Sequence, residues 1–129
     1  MNETYGNRHT VTDIVVKKTE KRLEATFDDG RTFSLPAELL RVESPSAEVQ
    51  GHGPGEKKLV AGRSHVGIIG VEPVGHYAIK IIFDDLHDSG IYTWDYLYEM
   101  GTNQESLWSD YLAALDAAGL SRHPNATLS

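Results

Sequence analysis

Asp84, Asp85, His87 and Asp88 fall together at the end of an apolar run, Tyr77 to Phe83. A carboxylate beside an imidazole raises the imidazole pKa and orients the ring. Residues of these types at this spacing can ligate a metal, or can form a polar anchor in which Asp85 fixes His87. The plainer alternative is an acidic hairpin whose Asp and Ser groups bond their own backbone. An EF-hand is excluded, because its DxDxDG order and closing glutamate are missing. After Ser89-Gly90 the chain resumes as Ile91-Tyr92-Thr93. It then turns into a short helix with Trp94, Leu97 and Tyr98 on one face.

Other chemistry is thinner. His52 lies in the glycine-rich stretch Gly51-His52-Gly53-Pro54-Gly55, His65 precedes a strand and His76 sits in a turn. None of them shows the spacing of an HExxH pair, and scattered surface histidines are the simpler reading. The glycine-rich stretch has neither the GK[ST] ending of a P-loop nor the GxGxxG order of a dinucleotide turn. No GxSxG elbow occurs. The chain has no cysteine, which removes disulfides, thiolate zinc sites and a cysteine nucleophile together. Tyr92, Trp94, Tyr96, Tyr98, Trp108 and Tyr111 could stack bases, but helical core spacing and acidic surroundings favour packing. Tyr92 and Tyr96 are expected to stay partly exposed and to suit a protein-binding patch.

The elements that must position these residues are short. Ile14 to Val16 open one strand, and Leu23, Ala25 and Phe27 alternate along a second. Asp28-Asp29-Gly30 marks a hairpin turn into a third strand, Arg31 to Leu35. Pro36 suits the first turn of a helix over Ala37–Arg41. Ser44 to Gly55 has no apolar face and reads as an exposed loop, long enough to carry function. Val66 to Val74 and Tyr77 to Phe83 are predicted strands, too rich in Ile and Val for one side to face water. A helix from Asn103 to Ala118 is expected. Thr102 to Glu105 would form its capping box, Leu107, Trp108, Tyr111, Leu112 and Leu115 its apolar stripe, and Gly119 its C-cap. The sum is an α+β fold: small antiparallel β-sheets of about five to six strands, a short helix and a C-terminal amphipathic helix. The expected divisions are a flexible arm over 1–12, one domain over 13–119 and a flexible tail over 120–129.

With 129 residues and a net charge of −7, the chain can bury about 65–70% of its unfolded surface without a metal. The negative charge opposes contact with phosphate backbones, so no nucleic-acid partner is expected. No apolar run approaches the ~20 residues that cross a bilayer, and the N-terminus has no signal-like segment. The cytoplasm is the expected location, with no membrane partner.

Several stretches together carry a family likeness: Leu40-Arg41, Ser44-Pro45-Ser46-Ala47-Glu48-Val49, Glu72-Pro73-Val74-Gly75 and His87-Asp88-Ser89-Gly90-Ile91-Tyr92. From about Val11 to Gly119 the chain resembles stand-alone bacterial proteins of the gamma-butyrobetaine hydroxylase-like N-terminal domain family. In full-length oxygenases of the carnitine pathway this domain precedes a separate catalytic domain that holds iron and 2-oxoglutarate. The resemblance therefore implies no oxygenase activity here. It also implies a zinc-bound module with three cysteines and one histidine. Those positions fall on Ser44, Ser46, Val49 and His87. Hydroxyls and a valine do not replace thiolates for zinc, so no cofactor is expected. The domain is also similar to a C-terminal piece of some P-loop scaffolds of iron–sulfur cluster assembly, which implies an accessory role.

Three functional readings follow. The first is a non-catalytic interaction domain, a monomer or weak dimer, that assists iron–sulfur or metalloprotein assembly by docking on a protein partner. Its contact residues would be His52, Pro54, His87, Tyr92 and Tyr96. The second is a metal site made by His87 with Asp85 or Asp88, joined by His52. The third is an enzyme, a hydrolase or a fragment-like relative of a 2-oxoglutarate oxygenase without its catalytic domain. It ranks last because no nucleophile–base pair is legible.

Overall fold

The computed structural model describes residues 7–51 and 55–124. His52 and Pro54, two of the expected contact residues, lie outside them. Sheet A contains β1 (Val11–Lys17), β2 (Arg22–Phe27) and β3 (Thr32–Pro36), antiparallel in the order β1-β2-β3. Alternation along β2 sends Leu23, Ala25 and Phe27 inward and leaves Arg22, Glu24 and Thr26 half-buried, the pattern of a sheet with one face on the core. Next come α1 (Ala37–Val42) and α2 (Ala47–Gln50), and then sheet B. This second antiparallel sheet contains β4 (Ile68–Val74), β5 (Ala78–Phe83) and β6 (Ile91–Thr93), in that order. The chain closes with α3 (Trp94–Thr102) and α4 (Gln104–Ala118). The α+β class and the strand number are as expected from the sequence.

One main core joins both sheets. Leu23, Phe27, Leu35, Leu39 and Leu40 meet Ile79, Ile81, Phe83, Tyr92 and Leu97 there. A smaller cluster of Val42, Tyr111 and Leu115 seats α4. Trp94 is buried and donates its indole N–H to the His76 carbonyl at 2.8 Å, the partner a buried tryptophan needs.

Several boundaries differ from the sequence expectation. Val11 and Thr12 belong to β1. Before them, the Arg8 and His9 amides donate to the Asp95 carboxylate, at 2.8–2.9 Å, so the arm is tied down from residue 7. At the other end, the Ser121 and Arg122 carbonyls accept from Gly62 and Ser64, and Arg122 pairs with Glu38. That segment is not a loose tail. The stretch after Ser44 is not an open loop throughout: the Ser46 hydroxyl accepts from the Glu48 amide and starts α2, whose Val49 is buried.

The proposed capping box is absent, because Thr102 ends α3 and Asn103 makes no side-chain cap. Only Tyr111 and Leu115 of the α4 stripe are buried, while Leu112 faces solvent. Gly119 does take the left-handed C-cap conformation. Nor are both faces of β4 covered: Ile69, at a bulge in the β4–β5 register, is 48% exposed.

Gly101 lies against the Phe33 ring so closely that a Cβ there would collide with three ring atoms. Alanine would gain about 1 kcal/mol of helix propensity, but overpacking typically costs about 1–3 kcal/mol. Gly101→Ala is therefore expected to lower stability in urea unfolding. A more stable variant would show that the ring has room to move.

Candidate functional site

The site is built where α1, the segment entering α2 and the turn after β5 converge. That turn has three residues, Asp84 to Leu86, closed by Leu86 N–H to the Phe83 carbonyl (2.9 Å) and Phe83 N–H to the His87 carbonyl (3.0 Å). Leu86 closes the loop in the left-handed region, at φ 72°, a position where glycine is the usual occupant. The Asp85 carboxylate holds the turn to the body of the protein. One of its oxygens, Oδ2, accepts from both Arg41 Nε and Arg63 Nε at 2.8 Å, and the other accepts from the His87 amide at 3.1 Å. Burial alone would raise the Asp85 carboxyl. The Arg41 hydrogen bond, the His87 amide and the two guanidinium charges outweigh it and hold the pKa below the usual carboxylate range.

His87 is buried and both its ring nitrogens are engaged. Nε2 lies 2.9 Å from Ser44 Oγ, and Nδ1 lies 3.2 Å from Glu48 Oε1. A carboxylate at Nδ1 calls for a proton there, which leaves Nε2 to accept from the Ser44 hydroxyl. Burial, then the nearby Arg41 charge, push the His87 pKa down. Glu48, Asp85 and Asp88 act against that shift without overcoming it. Beside this pair the Ser46 and Ser89 hydroxyls meet at 2.7 Å, the Ser46 amide donates to Ser44 Oγ, and Gln50 donates to the Ser44 carbonyl. Gly90 presses against Ser44 Oγ, where any Cβ would clash.

A serine, an imidazole and a carboxylate in this order have the polarity of a nucleophile–base relay. Ser44, however, has no exposed surface, and Pro45, Gly90 and Tyr92 pack around it. A substrate carbonyl has no route to it.

The sequence-predicted residues are only partly brought together. Asp85 and His87 meet as the expected polar anchor, through the His87 backbone rather than its ring. Asp88 is exposed. Tyr92, expected to stay partly exposed, is fully buried in the core and donates to the Leu40 carbonyl at 2.6 Å, and burial raises its pKa. It cannot be a docking contact. Tyr96 is half-buried and its hydroxyl is spent on the Glu43 carbonyl, with burial pushing its pKa up to about 12. Sequence reasoning missed Arg41, Arg63 and Glu48. Only the proximity of Glu48 to the quoted serines offered a signal.

Zinc does not fit the residues present. Ser44, Ser46 and His87 do cluster, but the Ser44 hydroxyl is bonded to the imidazole and the Ser46 hydroxyl to Ser89, and Val49 offers no donor. Among the described residues no group of three His, Asp or Glu side chains could hold a metal ion. Asp85, two positions before His87, already serves two guanidinium groups.

A family model described as gamma-butyrobetaine hydroxylase-like, N-terminal, matches residues 14–98. The chain belongs to this family. Two proteins solved by NMR in solution are 49% and 45% identical to this family member, each with a TM-score of 0.80. The first alignment covers 95% of this chain and 96% of that one; the second covers 100% and 96%. A crystal structure of a protein of unknown function from Acidithiobacillus ferrooxidans ATCC 23270, of the DUF971 family, is 36% identical with a TM-score of 0.61. That alignment covers 71% of this chain and 92% of that one. No curated protein matches the chain.

Two measurements check this gamma-butyrobetaine hydroxylase-like domain's site. Because folding lowers the His87 pKa, its contribution to stability is complete above the unfolded value of about 6.5 and is lost as pH falls below it. Urea unfolding between pH 8 and 5 should show that decline (about one pH decade either side of the transition), and His87→Gln should flatten it. An equal slope in the variant would remove His87 as its source. Second, the purified protein should carry no stoichiometric transition metal and should melt at the same temperature with or without EDTA. A bound ion whose removal unfolds the chain would contradict the assignment.

Proposed function

We propose that this family member is a non-catalytic interaction domain that acts by docking on a protein partner. One observation supports the reading above the others. The polar side chains at the positions the resemblance marks, and the Asp85 beside them, are engaged internally: Ser44 with His87, Ser46 with Ser89, and Asp85 with two arginines. A catalytic or metal-binding centre needs at least one such group left free to meet a substrate or ion. What the site does supply is a rigid edge, held by charge-assisted bonds, that presents the turn around Leu86 to solvent. A role beside iron–sulfur or metalloprotein assembly would then run through protein contacts, since the chain has no thiol to carry a cluster.

Nothing in the geometry favours the metal reading. Both nitrogens of His87 are committed and its Asp85 neighbour is neutralised by Arg41 and Arg63.

Affinity capture of the intact chain from its native cells should retain a specific partner, and a fluorophosphonate probe should leave Ser44 unlabelled. Labelling that disappears in Ser44→Ala would overturn the reading, as would a chain that retains nothing.

A further inference from the structure

We infer that Leu86, with the apolar outer side of sheet B beside it, is the contact point for a segment of the partner protein that combines apolar and basic side chains. The inference rests on the interaction reading above and gives it a location and a partner chemistry.

Leu86 is unfavourable to the folded chain twice over. Its backbone sits at φ 72°, the left-handed region, where an L-residue's Cβ crowds the following carbonyl. The residue is 79% exposed, so little of its apolar surface is returned to the core. A glycine would close the same three-residue loop without either cost. The surrounding bonds hold the residue there: two backbone hydrogen bonds close the loop, and Asp85 anchors it to Arg41, Arg63 and the His87 amide. An apolar side chain fixed in solvent on a rigid turn loses little freedom when it is covered, the property of a preorganised binding anchor.

Leu86 is not isolated. The Asp84 amide bonds the Gly67 carbonyl at 2.9 Å, which places the turn beside the start of β4 and the exposed Ile69. Across the sheet, buried Ile81 and Phe83 alternate with half-buried Ile82, while Ile91, opposite Lys80, is 45% exposed. Charge selects the occupant. Asp84 and Asp88 flank Leu86, both are exposed, and neither forms an ion pair among the described residues. Glu72 is already matched by Lys80. A second copy of this chain, also at −7, would bring the same two carboxylates against them. Lysine or arginine beside leucine-like side chains complements both the apolar surface and its rim.

The test is an amide NMR titration of the full chain with three synthetic peptides: an amphipathic Leu/Lys peptide, its Leu/Glu counterpart and its Ser/Lys counterpart. The Leu/Lys peptide should shift Leu86, Ile69, Ile91, Asp84 and Asp88. Leu86→Gly should weaken that binding by about tenfold, the loss expected of one interface anchor, and should melt no lower than the wild type. Shifts centred instead on the groove that Val42, Val60, Leu107 and Tyr111 line, equal binding of the Leu/Glu peptide, or undiminished binding by Leu86→Gly would each overturn the inference. So would concentration-dependent shifts of the same residues without peptide, which would assign the surface to self-association. Retention of the native partner by Leu86→Gly would sink this location while leaving the interaction reading intact. Failure of the wild type to retain any partner would count against that reading itself.

Discussion

The carboxylate of Asp85 is where three distant parts of the chain are tied together. Arg41 reaches it from α1, Arg63 from the segment before β4, and the His87 amide from the turn it belongs to. Its side chain is only 17% exposed, and that of Arg41 only 10%. Removing one partner from such a buried, hydrogen-bonded pair typically costs about 3–5 kcal/mol, because a charge is left behind without compensation. The geometry around it follows. With Asp85 fixed, His87 is delivered beneath α2 to meet Ser44 and Glu48, and Leu86 is left standing at the apex.

Hydrogen bonds hold these segments together, and their magnitude differs from that of a structural metal. A structural zinc supplies apparent binding free energies of about 10–16 kcal/mol, whereas a net intramolecular hydrogen bond contributes about 1 kcal/mol. A chain without thiolates, held at this site by hydrogen bonds, draws its stability from packing. The core is built accordingly, with Leu23, Leu35, Leu40, Ile81, Phe83 and Tyr92 wholly sequestered between the two sheets and their helices. Tyr92 belongs to both systems: its ring fills the core while its hydroxyl bonds the Leu40 carbonyl in α1.

Much of the fold was legible in the sequence because period-two alternation and turn glycines are local signals. Leu23, Ala25 and Phe27 announced β2, and Gly119 announced the end of α4. The failures have physical causes. Thr102 resembled a helix cap, yet α3 runs through it and α4 begins almost without a break. The stretch after Ser44 looked polar throughout, because a single buried residue, Val49, is too little to show a helical period. The density of Ile in β4 and β5 suggested burial on both faces, but composition does not say which face is covered, and Ile69 of β4 is left exposed. At the site, His87 and Asp85 were visible as neighbours. Arg63, 22 positions from Asp85, was not, since long-range charge pairing leaves no trace in one sequence. Tyr92 misled for a related reason: a tyrosine just after the polar run His87 to Gly90 reads as surface unless the strand that buries it is already placed.

A double-mutant cycle on Ser44→Ala and His87→Ala, followed by urea unfolding at pH 7.5, tests most directly whether this buried pair knits the helical segment to the sheet. If the two side chains act as one bonded unit, their effects on stability should fall short of additivity by about 1 kcal/mol or more. Losses that sum to within about 0.3 kcal/mol would mean that the two groups merely lie close, and the proposed linkage between α1–α2 and the His87 turn would be wrong.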